Sequence, residues 1–294
     1  MNKLKLKKQL QEFLLEDLGE GDITCGLLFS EHEHTEARFI AKKPGVFSGM
    51  EVISEGYRLL DKNCQVVPKV KDGDKIAAGQ IIADVSGPAP AIYSGERVIL
   101  NLVQRMSGIA TLTQKAVMTL NSETTKICDT RKTTPGLRMF EKYAVRSGGG
   151  YNHRFGLYDG VMIKDNHIAR AGGITEAVKA VKSRLGHMVK VEVETENLEQ
   201  VKEAAAAGAD VIMFDNRTPE EISAWRPYVP KHVITEASGG ISIDALHHYG
   251  RTGVDFISLG MLTHSAISLD ISLNITGGLK DELTGSVQAE VQHS

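Results

Sequence analysis

Short apolar runs alternate with amphipathic stretches through the second half of the chain. Each of the six runs ends in a polar or glycine-rich signal, and stretches with helical spacing, such as 174–185 and 198–207, lie between most of them. This alternation is typical of parallel βα units, whose strand ends meet at one end of the sheet. In a β/α barrel that end carries the active site, so the pattern predicts one shared site. The runs are 126–132, 160–166, 189–194, 211–216, 232–240 and 256–261.

The first part of the chain has a different texture. Apolar positions at helical spacing over 4–18 predict a helix, and short β-like runs broken by glycine follow over 35–87. The spacing over 95–113 predicts a long helix that leads into the barrel. The alternation over 269–275 predicts a final strand that can return to the first domain.

We therefore expect an α/β protein of two domains. The N-terminal domain, 1–110 with a returning segment 268–294, is expected to be an open-faced α+β sandwich. The second domain, 111–267, is expected to be a catalytic β/α barrel with about six strands. A chain of 294 residues is long enough for both domains and their cores.

Composition narrows the class of partner. The 34 basic and 37 acidic residues nearly balance, which argues against a nucleic-acid or anionic-membrane surface. The basic start, 1–8, runs into Glu12 and Glu16 rather than an apolar segment, so it predicts an amphipathic helix and not a signal peptide. The 3 cysteines are far apart and indicate neither a disulfide framework nor a zinc site. We expect a reducing, cytoplasmic location.

Basic side chains concentrate between Arg131 and Lys164. Arg131 and Lys132 follow the first predicted strand as an adjacent pair, and Lys164 ends the second strand after an apolar run. Cations at neighbouring strand ends suit an anion site, because a buried lysine is costly unless it holds an anion. A solvated loop pair for Arg131 and Lys132, and an ion pair with Asp165 for Lys164, are the structural alternatives.

Carboxylates end the third and fourth predicted strands. Glu192 and Glu194 share one face of their strand, and that face is either the barrel interior or the helix side. Glu194 and Asp215 together form a candidate site for Mg²⁺ with pyrophosphate, or for ribose hydroxyls, because Mg²⁺ prefers oxygen ligands. An ion pair with Arg131 or Lys164 is the alternative for each carboxylate.

Glycine-rich loops follow the last two predicted strands. The Ser-Gly-Gly segment 238–240 and Gly260 offer open backbone N–H groups, which commonly hold a phosphate with help from the next helix. Glycines that only form turns are the alternative. His153, in a tract 146–154 that we expect to be flexible, and His264 are hydrogen-bonding candidates of lower weight.

Taken in order, these motifs resemble the quinolinate phosphoribosyltransferase family. Eight motifs follow the family's order from Glu96 to Gly260, which is not a chance pattern, and the similarity continues weakly through the first domain. The matching segments are 96–101 (ERVILN), 129–136 (DTRKTTPG), 148–154 (GGGYNHR), 163–167 (IKDNH), 191–194 (VEVE), 214–216 (FDN), 236–240 (EASGG) and 258–260 (SLG).

The resemblance implies a reaction and its partners. Quinolinate and phosphoribosyl pyrophosphate would give nicotinate mononucleotide, pyrophosphate and CO₂ in NAD biosynthesis, with Mg²⁺ as the cofactor. It implies a homodimer or hexamer with shared active sites, in which Arg97 reaches into the site of a neighbouring subunit. It implies neither nucleic acid nor a membrane as a partner.

The resemblance also assigns roles by position. Cationic and imidazole groups would surround the two carboxylates of quinolinate, Lys132 would serve the pyrophosphate, and Glu194 and Asp215 would serve the ribose hydroxyls and Mg²⁺. The implied catalytic residues are Lys132, Lys164, Glu194 and Asp215. The implied substrate-binding residues are Arg97, Thr130, Arg131, Lys132, His153, Arg154, Lys164, Glu194, Asp215, Ser238, Gly239, Gly240, Gly260 and His264.

Two other functions stay open at this point. A related barrel enzyme could transfer phosphoribose to another heteroaromatic acid; loss of a carboxylate-clamping arginine would indicate it, and the expected arginines are present. A non-catalytic phosphate-binding sensor would use the same loops, bind its ligand tightly and release no pyrophosphate.

Overall fold

The computed structural model describes residues 1–30 and 32–276, and the chain divides into two compact units. One unit comprises 1–108 and the segment that starts at Ile267, and the other comprises 109–266. The last part of the expected returning segment, 277–294, lies outside the described residues. Over the part of the chain that the structure describes, no helix combines the length and apolar character needed to cross a bilayer.

The first unit is built on an antiparallel sheet. Its strands are β1 (His34–Ala41), β2 (Gly45–Val46), β3 (Gln65–Pro68), β4 (Lys75–Ile76), β5 (Ile81–Pro88) and β12 (Ile271–Ile275). Its helices are α1 (Lys3–Leu18), α2 (Ile23–Leu28), α3 (Met50–Leu60) and the first part of α4 (Ala89–Leu120). The four-stranded sheet has the order β12-β1-β5-β3, and β2 pairs with β4 separately. The predicted strand over 269–275 does return, because β12 pairs antiparallel with β1 from Ala37–Ile275 to Ala41–Ile271.

Helix α3 lies where the sequence pattern predicts only short strands. Its buried residues include Val52, Ile53 and Tyr57, which recur at helical spacing. The Asp72 carboxylate accepts hydrogen bonds from the backbone N–H groups of Gly49 at 2.8 Å and Met50 at 3.0 Å. A side chain from a distant turn therefore satisfies the free N–H groups at the start of this helix, which a local pattern cannot reveal.

The second unit is built on a parallel sheet. Its strands are β6 (Lys126–Cys128), β7 (Val161–Ile163), β8 (Val191–Thr195), β9 (Val211–Asp215), β10 (Ile234–Ser238) and β11 (Phe256–Ser258). Its helices are the end of α4 with α5 (Arg138–Ser147), α6 (Asp165–Ala171), α7 (Ile174–Lys182), α8 (Leu198–Ala207), α9 (Pro219–Trp225), α10 (Leu246–Tyr249) and α11 (Met261–His264). Short 3₁₀ turns cover Arg226–Tyr228 and Ile243–Ala245.

The strand order of this sheet is β6-β11-β10-β9-β8-β7, with parallel pairing throughout. This six-stranded, barrel-like sheet confirms the predicted fold class. Strands β6 and β7 form its two edges, and a single parallel bridge links Cys128 to Tyr151, in the segment before β7. All the strand carboxyl ends consequently meet at one end of the unit.

Alternate strand positions face different surroundings. On β8, Val191 and Val193 are completely buried, as are Ile212 and Phe214 on β9. These residues lie on the face opposite to that of Glu192 and its alternating neighbours, which line interior cavities described below. Apolar packing on the helix side therefore holds the strands in place while their other face carries ionisable groups.

Candidate active site

A cavity of about 530 Å³ lies at the carboxyl ends of the strands in the second unit. Residues from each strand of the parallel sheet, or from the loop directly after it, contribute to its wall. The lining residues are Thr130, Arg131, Lys132, His153, Arg154, Met162, Lys164, Glu194, Met213, Asp215, Asn216, Glu236, Ser238, Gly239, Gly240 and Ser258. The structure thus brings together eleven of the predicted binding residues, from Thr130 to Gly240.

Three predicted residues lie elsewhere. Gly260 does not line the cavity, and an added Cβ there would lie 3.0 Å from Cδ of Lys132. His264 is exposed, and its Nδ1 lies 2.6 Å from the hydroxyl of Ser265. Arg97 lies on the part of α4 that belongs to the first unit, where its exposed guanidinium lies 3.5 Å from Glu96.

Two arginines give the cavity its strongest attraction for anions. Nε of Arg131 and Nε of Arg154 are both buried without a hydrogen-bond partner. Burial lowers the pKa of Arg154, and the neighbouring positive charge of Arg131 lowers it further. Buried N–H groups without partners are costly, and two like charges repel each other. An anion bound by both guanidinium groups would relieve the repulsion between them.

Carboxylates lie beside these cations. Nζ of Lys164 donates to Oε1 of Glu194 at 2.5 Å, across the neighbouring strands β7 and β8. On β9, Oδ2 of Asp215 accepts from the side-chain amide of Asn216 at 2.7 Å. Glu194 therefore already has the ion-pair partner that the sequence left as an alternative, and it also faces the cavity.

The tract 146–154, expected to be flexible, is held by a buried ion pair. The carboxylate of Asp129 accepts from the ammonium of Lys142, and both side chains are fully buried. The same carboxylate accepts from Nδ2 of Asn152 at 2.6 Å and from the backbone N–H of His153 at 2.9 Å. Burial raises the pKa of Asp129 even though Lys142 opposes the shift. This network fixes the segment that carries His153 and Arg154.

His153 faces two buried glutamates. Its Nε2 lies 3.0 Å from Oε2 of Glu192 and 3.7 Å from Oε2 of Glu236. Burial lowers the pKa of His153, but its hydrogen bond to Glu192 and the charges of both glutamates outweigh burial and raise it. The backbone N–H of Arg154 points at Nδ1 from 2.8 Å and opposes a second ring proton. We therefore assign the ring proton to Nε2, facing the glutamates.

Sequence reasoning assigned no role to Glu236, although this residue lines the cavity. Burial and then the charge of Glu192 raise its pKa to about 8. Its position two residues before Ser238 on β10 puts both side chains on the same face. An acid within the apolar run 233–237, on the face that ends in the predicted phosphate loop, was the available signal.

The loop after β10 depends on glycine. Gly239 has a φ of +90°, and a Cβ there would lie 2.3 Å from Oδ1 of Asn216. The backbone N–H of Asn216 in turn donates to the carbonyl of Ser238 at 2.8 Å. The helices that follow β10 and β11 are only 4 residues long, so the expected contribution of a helix N-terminus is small. The backbone N–H groups of the loop are therefore the candidate phosphate donors at this end of the cavity.

Comparison with known proteins identifies the same two segments. The family model for the C-terminal domain of quinolinate phosphoribosyl transferase matches residues 109–274, and the model for the N-terminal domain matches residues 22–107. A probable nicotinate-nucleotide pyrophosphorylase [carboxylating] from Bacillus subtilis is 58% identical over 276 residues, which cover 94% of this chain and 95% of that protein.

Other relatives extend the comparison to plants and to solved structures. A chloroplastic nicotinate-nucleotide pyrophosphorylase [carboxylating] from Arabidopsis thaliana is 43% identical and covers 92% of this chain and 82% of its own. The crystal structure of NadC from Streptococcus pyogenes superposes with a TM-score of 0.90 at 38% identity, covering 94% of this chain and 98% of that one. Because both domains match along nearly their whole length, the chain belongs to the quinolinate phosphoribosyltransferase family.

Proposed function

We propose that the chain catalyses the decarboxylating transfer of phosphoribose from phosphoribosyl pyrophosphate to quinolinate. The products are nicotinate mononucleotide, pyrophosphate and CO₂, and the reaction belongs to NAD biosynthesis. Relatives at 40 to 58% identity carry names for this reaction, either as a decarboxylating transferase or, for the reverse direction, as a carboxylating pyrophosphorylase. The enzyme is therefore a pentosyltransferase.

One observation in the site carries this proposal. Arg131, Arg154 and Lys164 line a single cavity, and the positive charge of Arg131 lowers the pKa of Arg154. Quinolinate has two adjacent carboxylates, which suit two guanidinium groups and an ammonium group better than a single carboxylate would. A ligand with one carboxylate, such as nicotinate, would leave part of this positive charge uncompensated.

The remaining wall suits the phosphoribosyl donor. Departure of pyrophosphate leaves positive charge on the ribose ring, and the carboxylates of Glu194 and Asp215 lie where they can stabilise that charge and hold the ribose hydroxyls. Lys132 supplies positive charge for the departing pyrophosphate. The loop 238–240 offers its N–H groups to the 5′-phosphate. The quinolinate nitrogen, oriented by the arginines, then attacks the ribose carbon.

The donor set fits Mg²⁺ as a cofactor. Glu194 and Asp215 present carboxylate oxygens from neighbouring strands to one cavity, and Mg²⁺ prefers oxygen ligands together with phosphate. These two residues would hold the ion with the pyrophosphate group. When bound, Mg²⁺ would supply charge neutralisation for the leaving pyrophosphate.

We also propose a homodimer or hexamer with shared active sites, in the cytoplasm. Support for a shared site comes from the family motif that contains Arg97, whose guanidinium is exposed on α4. Support for a reducing compartment comes from Cys25, Cys64 and Cys128, which are all free thiols. Plant relatives carry chloroplastic or mitochondrial names, so the compartment differs between members of the family.

The test is the release of pyrophosphate and CO₂ from purified protein given Mg²⁺ and phosphoribosyl pyrophosphate, with quinolinate or nicotinate as acceptor. We expect turnover with quinolinate alone. Turnover with nicotinate but not quinolinate would contradict the dicarboxylate assignment. Tight binding of phosphoribosyl pyrophosphate without any release of pyrophosphate would favour a sensor instead.

A further inference from the structure

A second cavity, of about 400 Å³, lies at the opposite end of the barrel from the substrate cavity. Its wall includes Val161, Val211, Ile234 and Phe256, which are the first residues of their strands. Met188, which is 83% exposed, also lines it. This rear cavity therefore extends from solvent into the barrel interior.

The rear cavity and the substrate cavity share three residues, His153, Arg154 and Glu236. Glu192 lines the rear cavity only and contacts His153 there. The ligand atoms of His153, Glu192 and Glu236 lie within 4.8 Å of one another. These three side chains lie between the substrate cavity and the rear cavity, and we call them the partition.

Glu236 is the acid in this partition that reaches both cavities. It is only 4% exposed, and its Oε1 has no hydrogen-bond partner. The groups that act on it are Glu192 and Glu194 from β8, His153 from the segment after α5, and Ser258 from β11. Burial and the charge of Glu192 raise the pKa of this carboxyl group, which favours its protonated form.

The proposed reaction requires one proton at a defined step. When the bond between the ring carbon and its carboxylate breaks, CO₂ leaves and the electron pair stays on the ring carbon. That carbon must then gain a proton to give nicotinate mononucleotide. The positive charges of the arginines and lysines in the substrate cavity stabilise the negative charge, and the proton must come from an acid.

We propose that Glu236 donates the proton that replaces the lost carboxyl group, and that water in the rear cavity restores it. This inference rests on the proposed function. The O–H bond of Glu236 breaks as the new C–H bond forms, which leaves Glu236 as a carboxylate. The imidazole of His153, whose Nε2–H donates to Glu192 and lies 3.7 Å from Glu236, offsets part of the new negative charge. A proton from solvent, entering through the rear cavity, then reloads Glu236 for the next turnover.

Substitution Glu236→Gln tests the donor. We expect the rate of CO₂ release to fall about 100-fold, the size typical of a lost general acid, while KM for quinolinate changes little. The first turnover should still release pyrophosphate in a burst stoichiometric with the sites, because phosphoribosyl transfer precedes the proton step. Equal loss of the burst and of CO₂ release, or a full rate of both, would overturn the proposal.

The matched control is Glu199→Gln, on α8, where the side chain is 82% exposed. This variant should keep both rates of the unmodified enzyme. The unmodified enzyme also separates the two levels of inference. If the unmodified enzyme releases no pyrophosphate with quinolinate, the proposed reaction is wrong. If it is active and Glu236→Gln shows the same rates, only the assignment of the proton donor is wrong.

Two further variants test the rear cavity without depending on Glu236→Gln alone. Formate added to Glu236→Ala should restore part of the CO₂ release, because a small acid can take the vacated place. Val211→Phe should fill the rear cavity from β9 and abolish that rescue, since Val211 does not line the substrate cavity. Circular dichroism would establish that each variant folds. Undiminished rescue in the double variant would exclude the rear cavity as the route.

Discussion

Gly239 occupies a backbone position that other residues adopt only with strain. Its φ is +90°, and a side chain there would collide with Asn216. We expect Gly239→Ala to raise KM for phosphoribosyl pyrophosphate at least tenfold with a smaller effect on KM for quinolinate, because the displaced loop would lose N–H donors worth ~1 kcal/mol each. Steady-state kinetics with each substrate varied would measure the difference.

The control for Gly239 is Gly253→Ala. Gly253 also has a positive φ, +77°, but no atom lies within 4 Å of an added Cβ. Both variants carry backbone strain, and only Gly239→Ala disturbs the loop next to the cavity. Equal kinetic effects in both variants would contradict a specific role for the loop 238–240.

Arg131 makes a second prediction at the scale of one residue. Arg131→Ala removes one of the two guanidinium groups with an unpartnered buried N–H. We expect KM for quinolinate to rise roughly 10- to 100-fold, the equivalent of a charged hydrogen bond worth ~1.5–3 kcal/mol, with a much smaller change for phosphoribosyl pyrophosphate. Arg184→Ala, at an exposed position after α7, should leave both constants unchanged. Equal loss of both substrates from Arg131→Ala would contradict its assignment to the dicarboxylate.

At the residue scale, the sequence predicted the site residues at the strand ends better than those within the strands. Lys164 and Asp215 follow apolar runs, so their position at strand ends could be read directly from the pattern. Glu236 lies within a strand, and its importance depends on the neighbours that surround it in space. The motifs alone named Arg97 and Arg131 as site residues. The buried N–H group of Arg131 without a partner is visible only in the structure.

Among the elements, α5 and the tract after it depend on one buried ion pair. Lys142 on α5 and Asp129 after β6 are both fully buried, and Asp129 also holds the backbone of His153. Removing one partner of such a pair leaves an uncompensated buried charge, so we expect Lys142→Met to lower the free energy of unfolding by ~3–5 kcal/mol. Urea titration would measure this loss, and KM for quinolinate should rise as the tract loosens.

Lys202→Met provides the comparison for that variant. Lys202 on α8 lies 3.0 Å from Glu199, and both side chains are exposed to solvent. Loss of this pair should change the free energy of unfolding by at most ~1 kcal/mol. If Lys142→Met had the same free energy of unfolding as Lys202→Met, the buried pair would not be what holds the tract 146–154.

Helices and strands with regular local patterns were predictable, and those that depend on distant partners were not. Helix α8 begins and ends where the periodicity predicts, at Leu198 and Ala207. The alternation of valine and glutamate on β8 predicted two distinct faces, but only the structure decides that the glutamates point inward. Helix α3 was not predicted: its buried residues recur at helical spacing, but the cap at its start comes from Asp72 in a distant turn.

At the scale of the whole molecule, the proposal of a shared active site can be tested by mixing two inactive variants. Arg97→Ala and Lys164→Ala should each be inactive as pure proteins. Mixed and allowed to exchange subunits, they should regain part of the activity, because a hybrid would contain one site with neither substitution. Each variant mixed with itself is the control, and no recovery after verified subunit exchange would argue against a shared site.

Strand β12 has a consequence for how the chain is made. It forms an edge of the first unit's sheet through its pairing with β1, yet residues 109–266 must be synthesised between the two strands. During synthesis, one edge of β1 therefore stays unpaired until β12 has been made. Unpaired strand edges can pair with strands of other nascent chains. We expect the N-terminal half, released early by a premature stop codon, to depend on chaperones to stay dispersed.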